Sequence, residues 1–220
     1  ELSGNMIDRC PVGALTSRPY AFAARPWELV KTESVDVLDA VGSNIRIDAR
    51  GPEVMRILPR LNEDVNEEWI SDKSRFACDG LRRQRLDRPY IRRGGKLQAA
   101  SWDDAFHAIA EVVDHAPSEA MAAIAGDLAD CESMLALKDL MTALGSANID
   151  CRQDGAQLDT RVRSSYLFNT TIAGIEQADA MVLVGCNPRL EAPVLNARIR
   201  KRWVAGGFTV GVIGVEADLT

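Results

Sequence analysis

Residues 180–185, Ala180-Met181-Val182-Leu183-Val184-Gly185, decide the fold class. An uninterrupted apolar run closed by glycine has no polar residue to turn toward water, so it reads as a strand buried on both faces. The next segment, "APVLNARIRKRWVAGG", reads as a helix with a glycine stop, and "FTVGVIG" after it as another strand. Strand, helix and strand in that order, with both strands apolar, describe a parallel sheet covered by helices. The alternation continues back to Ser101. "CESMLALKDLMTALG" is a helix ending at Gly145, and "AMAAIAG" is a short buried strand. "SWDDAFHAIAEVVDHAP" has Ser101 as N-cap and Asp104 three residues on; Phe106, Ile109, Val112 and Val113 follow helical spacing, and Pro117 closes it. Residues 96–220 are therefore expected to form a Rossmann-like α/β domain.

Upstream the pattern changes. Residues 31–95 are charge-rich, with short elements, and lean toward β structure. "NIRIDARGPEVMRIL" alternates on both sides of Gly51-Pro52, a hairpin with Ile45, Ile47, Val54 and Ile57 near the core. An acidic stretch, "NEDVNEEW", precedes a basic one, "LRRQRLDRPYIRRGGK". Opposite blocks this close read as solvated faces or mutual salt links, and run 82–96 also as a contact surface for an acidic protein neighbour. Residues 1–30 hold three prolines and no long periodic segment, as expected of irregular chain laid over another module.

The chain has 220 residues, 46% apolar and 26% charged, with a formal net charge of −6. That size allows one sizeable domain or a small one plus a larger one. The acidic balance argues against nucleic acid as the main partner. No apolar run approaches the roughly 20 residues of a membrane span, and no signal peptide is visible. The chain opens at Glu1 and stops at "VEADLT" after a strand-like run, so it reads as a piece of a longer polypeptide. Five scattered cysteines, at 10, 78, 131, 151 and 186, fit a reducing compartment rather than a disulfide framework.

Chemical motifs are sparse. The glycine-rich dinucleotide fingerprint is absent, because "LVGCNPRLEAP" has one glycine followed by Asn187 and Pro188. That turn still places a polar loop where α/β ligands usually bind; it is read as a structural turn, with a retained ligand loop as the alternative. His107 and His115 have no cluster around them. "DVLDAVGS", residues 36–43, reads as a helical turn with Asp36 and Asp39 on its wet side, ended by Gly42-Ser43. Cys10-Pro11 matches the Cys-Pro that completes ferredoxin-type [4Fe–4S] sites.

The segments "ELSGNMIDRCPVGALTSRPYAFAARPWEL", "KTESVDVLDAVGSNI", "RILPRLNEDVNEEWISDKSRFACDGL", "NTTIAGIEQAD" and "VLVGCNPRLEAPVLNARIRK" together resemble one family. It is the large iron–sulfur subunit of NADH–quinone oxidoreductase, respiratory complex I, in its mitochondrial and α-proteobacterial form. The resemblance implies that Cys10 is the last ligand of a [4Fe–4S] cluster whose other ligands lie upstream of this chain. It also implies a [2Fe–2S] and a second [4Fe–4S] cluster in that upstream part. Beyond them the family is similar to molybdopterin oxidoreductases, which open this region with Cys-x2-Cys-x3-Cys-x27-Cys around a further cluster. Here those positions fall on Asp36, Asp39, Ser43 and Ser71, which offer hard oxygens where a cluster needs sulfur, and Cys78 is out of register. The resemblance thus implies a degenerate cluster site at residues 31–95 and an empty descendant of a molybdopterin domain, with no molybdopterin expected. Its implied partners are the flavoprotein and iron–sulfur subunits of the peripheral arm. The implied location is the cytoplasmic side of a bacterial inner membrane or the matrix side of the mitochondrial one, with no direct membrane span. The alternatives are an active molybdopterin oxidoreductase and a purely structural assembly domain.

Overall fold

The computed structural model describes residues 1–152, 155, 157 and 159–219. In chain order the elements are α1 (Asn5–Arg9), β1 (Val30–Val35), β2 (Asn44–Arg50), β3 (Glu53–Pro59), α2 (Asp72–Phe76), β4 (Tyr90–Arg93) and β5 (Lys96–Ala99). They continue as α3 (Trp102–His115), β6 (Ala123–Ile124), α4 (Cys131–Ala143), β7 (Ile149–Asp150), β8 (Ala180–Val184), α5 (Pro188–Glu191), α6 (Pro193–Val204) and β9 (Thr209–Ile213). Residues 1–83 and 166–220 form one compact unit, and residues 84–165 another.

In the first unit β1, β2 and β3 make an antiparallel sheet in that order. The β2–β3 connection turns at Gly51, whose φ of 59° suits a residue without Cβ. Ile45 is buried, while Ile47, Val54 and Ile57 are half-buried. The alternation did not reveal what lies on the other face. Asp48, at a register shift between β2 and β3, is fully buried. Its carboxylate accepts from Arg46 Nε at 2.8 Å, Arg46 Nη2 at 3.1 Å and Arg56 Nε at 2.8 Å. Arg56 in turn stacks on the ring of Tyr20, 4.4 Å from its centroid.

The same unit holds β8 and β9, a parallel pair in register from Ala180↔Thr209 to Val184↔Ile213. Between them run α5 and α6, and α6 stops where Gly206 and Gly207 take positive φ. Ile175, Ile199 and Phe208 form the buried core of this strand–helix–strand unit, with Met181, Leu195 and Val210 packed against it. Each such side chain contributes about 1.5–3 kcal/mol on burial. Among the described residues only one face of the pair is covered: Val182 and Val184 remain 61% and 66% exposed.

The second unit opens with the β4–β5 hairpin, turned by Gly94 and Gly95. The basic run thus ends in the first strand and turn of a hairpin that its charge pattern hid, with β5 beginning at its last residue, Lys96. In α3 the Ser101 hydroxyl accepts from Asp104 N at 3.1 Å, the N-cap expected there. The apolar stripe Phe106, Ile109 and Val112 is exposed. Asp130 caps α4 by accepting from Ser133 N at 2.7 Å, and Gly145 at φ 72° ends it. β6 and β7 pair in parallel across two residues each, so "AMAAIAG" supplies a shorter strand than its apolar run suggests. The architecture is a mixed α/β one with small sheets.

A candidate iron–sulfur ligand and a degenerate site

Cys10 caps the C-terminal end of α1, where the backbone turns extended at φ −74° and ψ 107°. Pro11 follows, and the "CPVGAL" loop turns at Gly13, whose φ is 64° and whose N–H donates to Cys10 O at 3.5 Å. Backbone N–H groups then face Sγ. The thiol pKa is lowered from its ordinary 9.0, by the backbone N–H of Leu15 first and then Val12, against a burial penalty, with lesser help from Ala14 and Gly13. A thiol whose pKa is lowered by nearby backbone amides suits a soft-metal ligand, because ligation requires the charged form.

A five-residue helix cannot hold its own shape in water, so α1 depends on its anchors. Asp72 accepts from Ser3 N at 3.0 Å, Ser3 Oγ at 2.8 Å and Gly4 N at 2.7 Å. Burial alone would raise its pKa, but the Gly4 N–H and the Ser3 hydroxyl outweigh it and hold the carboxyl below the usual range. Asn5, 2% exposed, exchanges hydrogen bonds with Ile70: Nδ2 donates to Ile70 O at 2.8 Å, and Ile70 N donates to Oδ1 at 3.1 Å. Arg9 pairs with Glu68 and lies over the Trp69 ring. None of these anchors has a sequence signal, since each links residues more than fifty positions apart.

The four degenerate positions converge differently from a ligand set. Asp36 is buried, and the 36–43 segment is a bend and turn rather than a helix. The expectation that Asp36 and Asp39 lie on a wet face is therefore wrong, because tertiary partners outweigh the local spacing. The Asp36 carboxylate accepts from Ser74 Oγ at 2.5 Å and from Leu38 N at 3.3 Å, while Ser74 Oγ lies 2.8 Å from Ser71 Oγ. The Asp36 N–H donates to the carbonyl of buried Ser43 at 2.8 Å. Ser71 also caps α2 by accepting from Ser74 N at 3.0 Å. Asp39 is half-buried; burial pushes its carboxyl up and the Asp36 charge adds to this, against the Val41 N–H. No thiol joins the group: Cys78 Sγ instead lies 3.9 Å from Arg75 O, and burial raises its pKa. Asp36, Ser71 and Ser74 engage one another, while Asp39 accepts from Val41 N at 3.0 Å and its Oδ2 has no hydrogen-bond partner among the described residues. All are hard oxygens, so the donor set does not fit an iron–sulfur cluster, and no three metal-ligating side chains converge among the described residues.

The "GCNPRLEAP" loop follows β8, and Asn187 Oδ1 in it is buried without a hydrogen-bond partner among the described residues. The Asn187 N–H donates to the Glu191 carboxylate at 2.7 Å, so a negative group of the chain itself occupies that donor. The helix behind it, α5, is only four residues long. His107 and His115 each bond the backbone carbonyl four residues back, at 2.8 and 2.7 Å, and take no part in a site. Sequence reasoning missed Ser74, Asp72 and Arg75; the Ser-x-x-Ser spacing of an N-cap was the one available signal.

Residues 85–220 match the molybdopterin oxidoreductase family, and residues 29–79 match the NADH-ubiquinone oxidoreductase NDSU1/NuoG-like, 4Fe-4S domain. The chain belongs to the molybdopterin oxidoreductase family. It is 59% identical to the mitochondrial NADH dehydrogenase [ubiquinone] iron-sulfur protein 1 of Solanum tuberosum, over 99% of this chain and 30% of the relative. It is 57% identical to the mitochondrial NADH-ubiquinone oxidoreductase 78 kDa subunit of Candida albicans, over 100% and 31%. Identity to an NADH-quinone oxidoreductase subunit of Rickettsia conorii is 59%, over 97% and 32%. The chain therefore spans about a third of the length of these relatives. Among the described residues no helix is long and apolar enough to cross a membrane.

Proposed function

We propose that this chain is an electron-transfer and scaffold segment of an NADH–quinone oxidoreductase, with Cys10 as a ligand of one [4Fe–4S] cluster. The reading is carried by similarity along essentially the whole chain to subunits named for that enzyme. The position of Cys10 at the C-terminal cap of α1, with its thiol pKa lowered, is consistent with it. Such a cluster supplies one-electron transfer between NADH-derived electrons and quinone. The part of this chain is to hold Cys10 as a thiolate at the end of α1, and to fix α1 against α2. The other ligands, a [2Fe–2S] and a second [4Fe–4S] cluster belong to the portion of the subunit outside the matched third.

In this reading residues 1–30 are the tail of that iron–sulfur module. Residues 31–95 are the degenerate cluster subdomain, in which Asp36, Asp39, Ser43 and Ser71 are not ligands. Residues 96–220 belong to a Rossmann-like parallel sheet; the exposed Val182 and Val184 of β8 support a sheet face that more of the subunit covers. No molybdopterin is held, consistent with the engagement of Asn187 by Glu191. The partners are the flavoprotein and iron–sulfur subunits of the peripheral arm, on the cytoplasmic or matrix side of the membrane, and run 82–96 is a contact surface for acidic neighbours. Metal analysis of the full-length subunit tests the reading. Iron is expected, with molybdenum and tungsten below stoichiometry; one molybdenum per subunit would overturn it in favour of an active molybdopterin oxidoreductase.

A further inference from the structure

Arg75 is the one charged side chain of α2 buried to 5% exposure, and it reaches across to α1 rather than to water. Its Nη2 donates to Asn5 Oδ1 at 3.1 Å and to Asp8 Oδ2 at 2.5 Å. Asn5 and Asp8 lie at the two ends of α1, and Asp8 is two residues before Cys10. One guanidinium therefore spans the helix that carries the thiolate. The fit is tight: a Cβ on Gly4 would come within 2.8 Å of both Cδ and Nε of Arg75 and 2.7 Å of Asp72 Oδ1. A planar guanidinium whose Nη2 bonds both an amide oxygen and a carboxylate fixes orientation as well as distance, and a lysine offers only a point charge.

We propose that Arg75 is a positioning residue for Cys10, and that the Arg75–Asp8 pair sets the local charge felt at the cluster Cys10 ligates. This rests on the reading of Cys10 as a ligand. The pair is neutral as a unit, with the Arg75 side chain 5% and the Asp8 side chain 22% exposed, so removing one member leaves the charge of the other uncompensated beside Cys10. Loss of Arg75 leaves Asp8 negative, which opposes addition of an electron and lowers the reduction potential. Loss of the Asp8 charge leaves Arg75 positive and raises it. A purely structural contact would give no such opposition of sign.

The test uses the assembled complex carrying Arg75→Met, Arg75→Lys or Asp8→Asn, with EPR spectra and redox titration of the clusters. The Cys10-dependent signal is expected to shift down in Arg75→Met and up in Asp8→Asn. Each shift should correspond to about a tenfold change in the one-electron equilibrium, about 59 mV. Arg75→Lys should lie between wild type and Arg75→Met. If Arg75→Met fails to assemble, Asp8→Asn carries the decision. Unchanged potentials and line shapes, or shifts of one sign in both variants, overturn the proposal. Cys10→Ala in the same complex separates the two levels: if it leaves every cluster signal intact, the ligand reading fails; if it removes one, any failure belongs to Arg75 alone.

Discussion

Replacing Asp48 by Asn should destabilise the β1–β3 sheet by about 3 kcal/mol, although no sequence pattern singles the residue out. Its carboxylate is wholly buried and accepts three hydrogen bonds from two guanidiniums, of Arg46 and Arg56. A hydrogen bond to a charged group contributes about 1.5–3 kcal/mol, and breaking a fully buried ion pair costs about 3–5 kcal/mol. Arg46 and Arg56 are 31% and 24% exposed, so water recovers part of the loss and the lower end applies. Asparagine keeps the shape, but its amide would present donors to a second set of donors. Burial alone would raise the Asp48 pKa, yet the hydrogen bonds and charges of Arg46 and Arg56 outweigh it and hold it below the ordinary 3.8. The stabilisation is therefore full above the unfolded-state pKa, near 3.9, and is lost as pH falls through the lower folded value. Urea unfolding of the 220-residue chain followed by hydrogen exchange in β1–β3 should show a constant wild-type advantage from pH 7 to about 5, shrinking below about pH 4. A loss under about 1 kcal/mol at pH 7, or a gap that widens in acid, would refute the reasoning.

Other substitutions probe the anchors one at a time. Ser74→Ala strands the buried Asp36 carboxylate without its hydroxyl donor and should cost about 1–3 kcal/mol in thermal unfolding; a neutral result would mean Asp36 is hydrated. Gly4→Ala should cost about 1–3 kcal/mol through overpacking against Asp72 and Arg75 and increase exchange in residues 1–10, whereas Gly51→Ala should leave residues 1–10 unaffected. In the cluster-free chain, alkylation by iodoacetamide near neutral pH should modify Cys10 before Cys78, since amides lower one thiol and burial raises the other; peptide mass spectrometry reads the order, and Cys78 reacting first would contradict it.

What was legible in the sequence is what local physics decides. The β8–α6–β9 unit announced itself through continuous apolar runs and glycine stops, α3 through the Ser101 cap, and the β2–β3 hairpin through alternation about Gly51-Pro52. Cys10 drew attention through the adjacent Pro11, and its proposed ligand role came from the family resemblance rather than from the local pattern. The polar interior was not legible. Asp36 finds Ser74 38 positions away, Arg75 finds Asp8 67 away, and buried Arg198 reaches Glu63 O from 135 away, at 2.7 Å. Buried charge is set by partners that only the fold assembles, and a residue such as Asp36 looks solvated until they are known. The β4–β5 hairpin escaped for the opposite reason: its arginines face outward, so charge concealed the strands.

The central claim is that the redox chemistry of this chain rests on Cys10 and not on residues 36–71. EPR of the assembled complex with Cys10→Ala tests it most directly. One [4Fe–4S] signal should disappear or broaden while the others persist, and Asp36→Ala should leave every signal in place. An unaltered spectrum in Cys10→Ala, or a cluster lost with Asp36→Ala, would contradict the account.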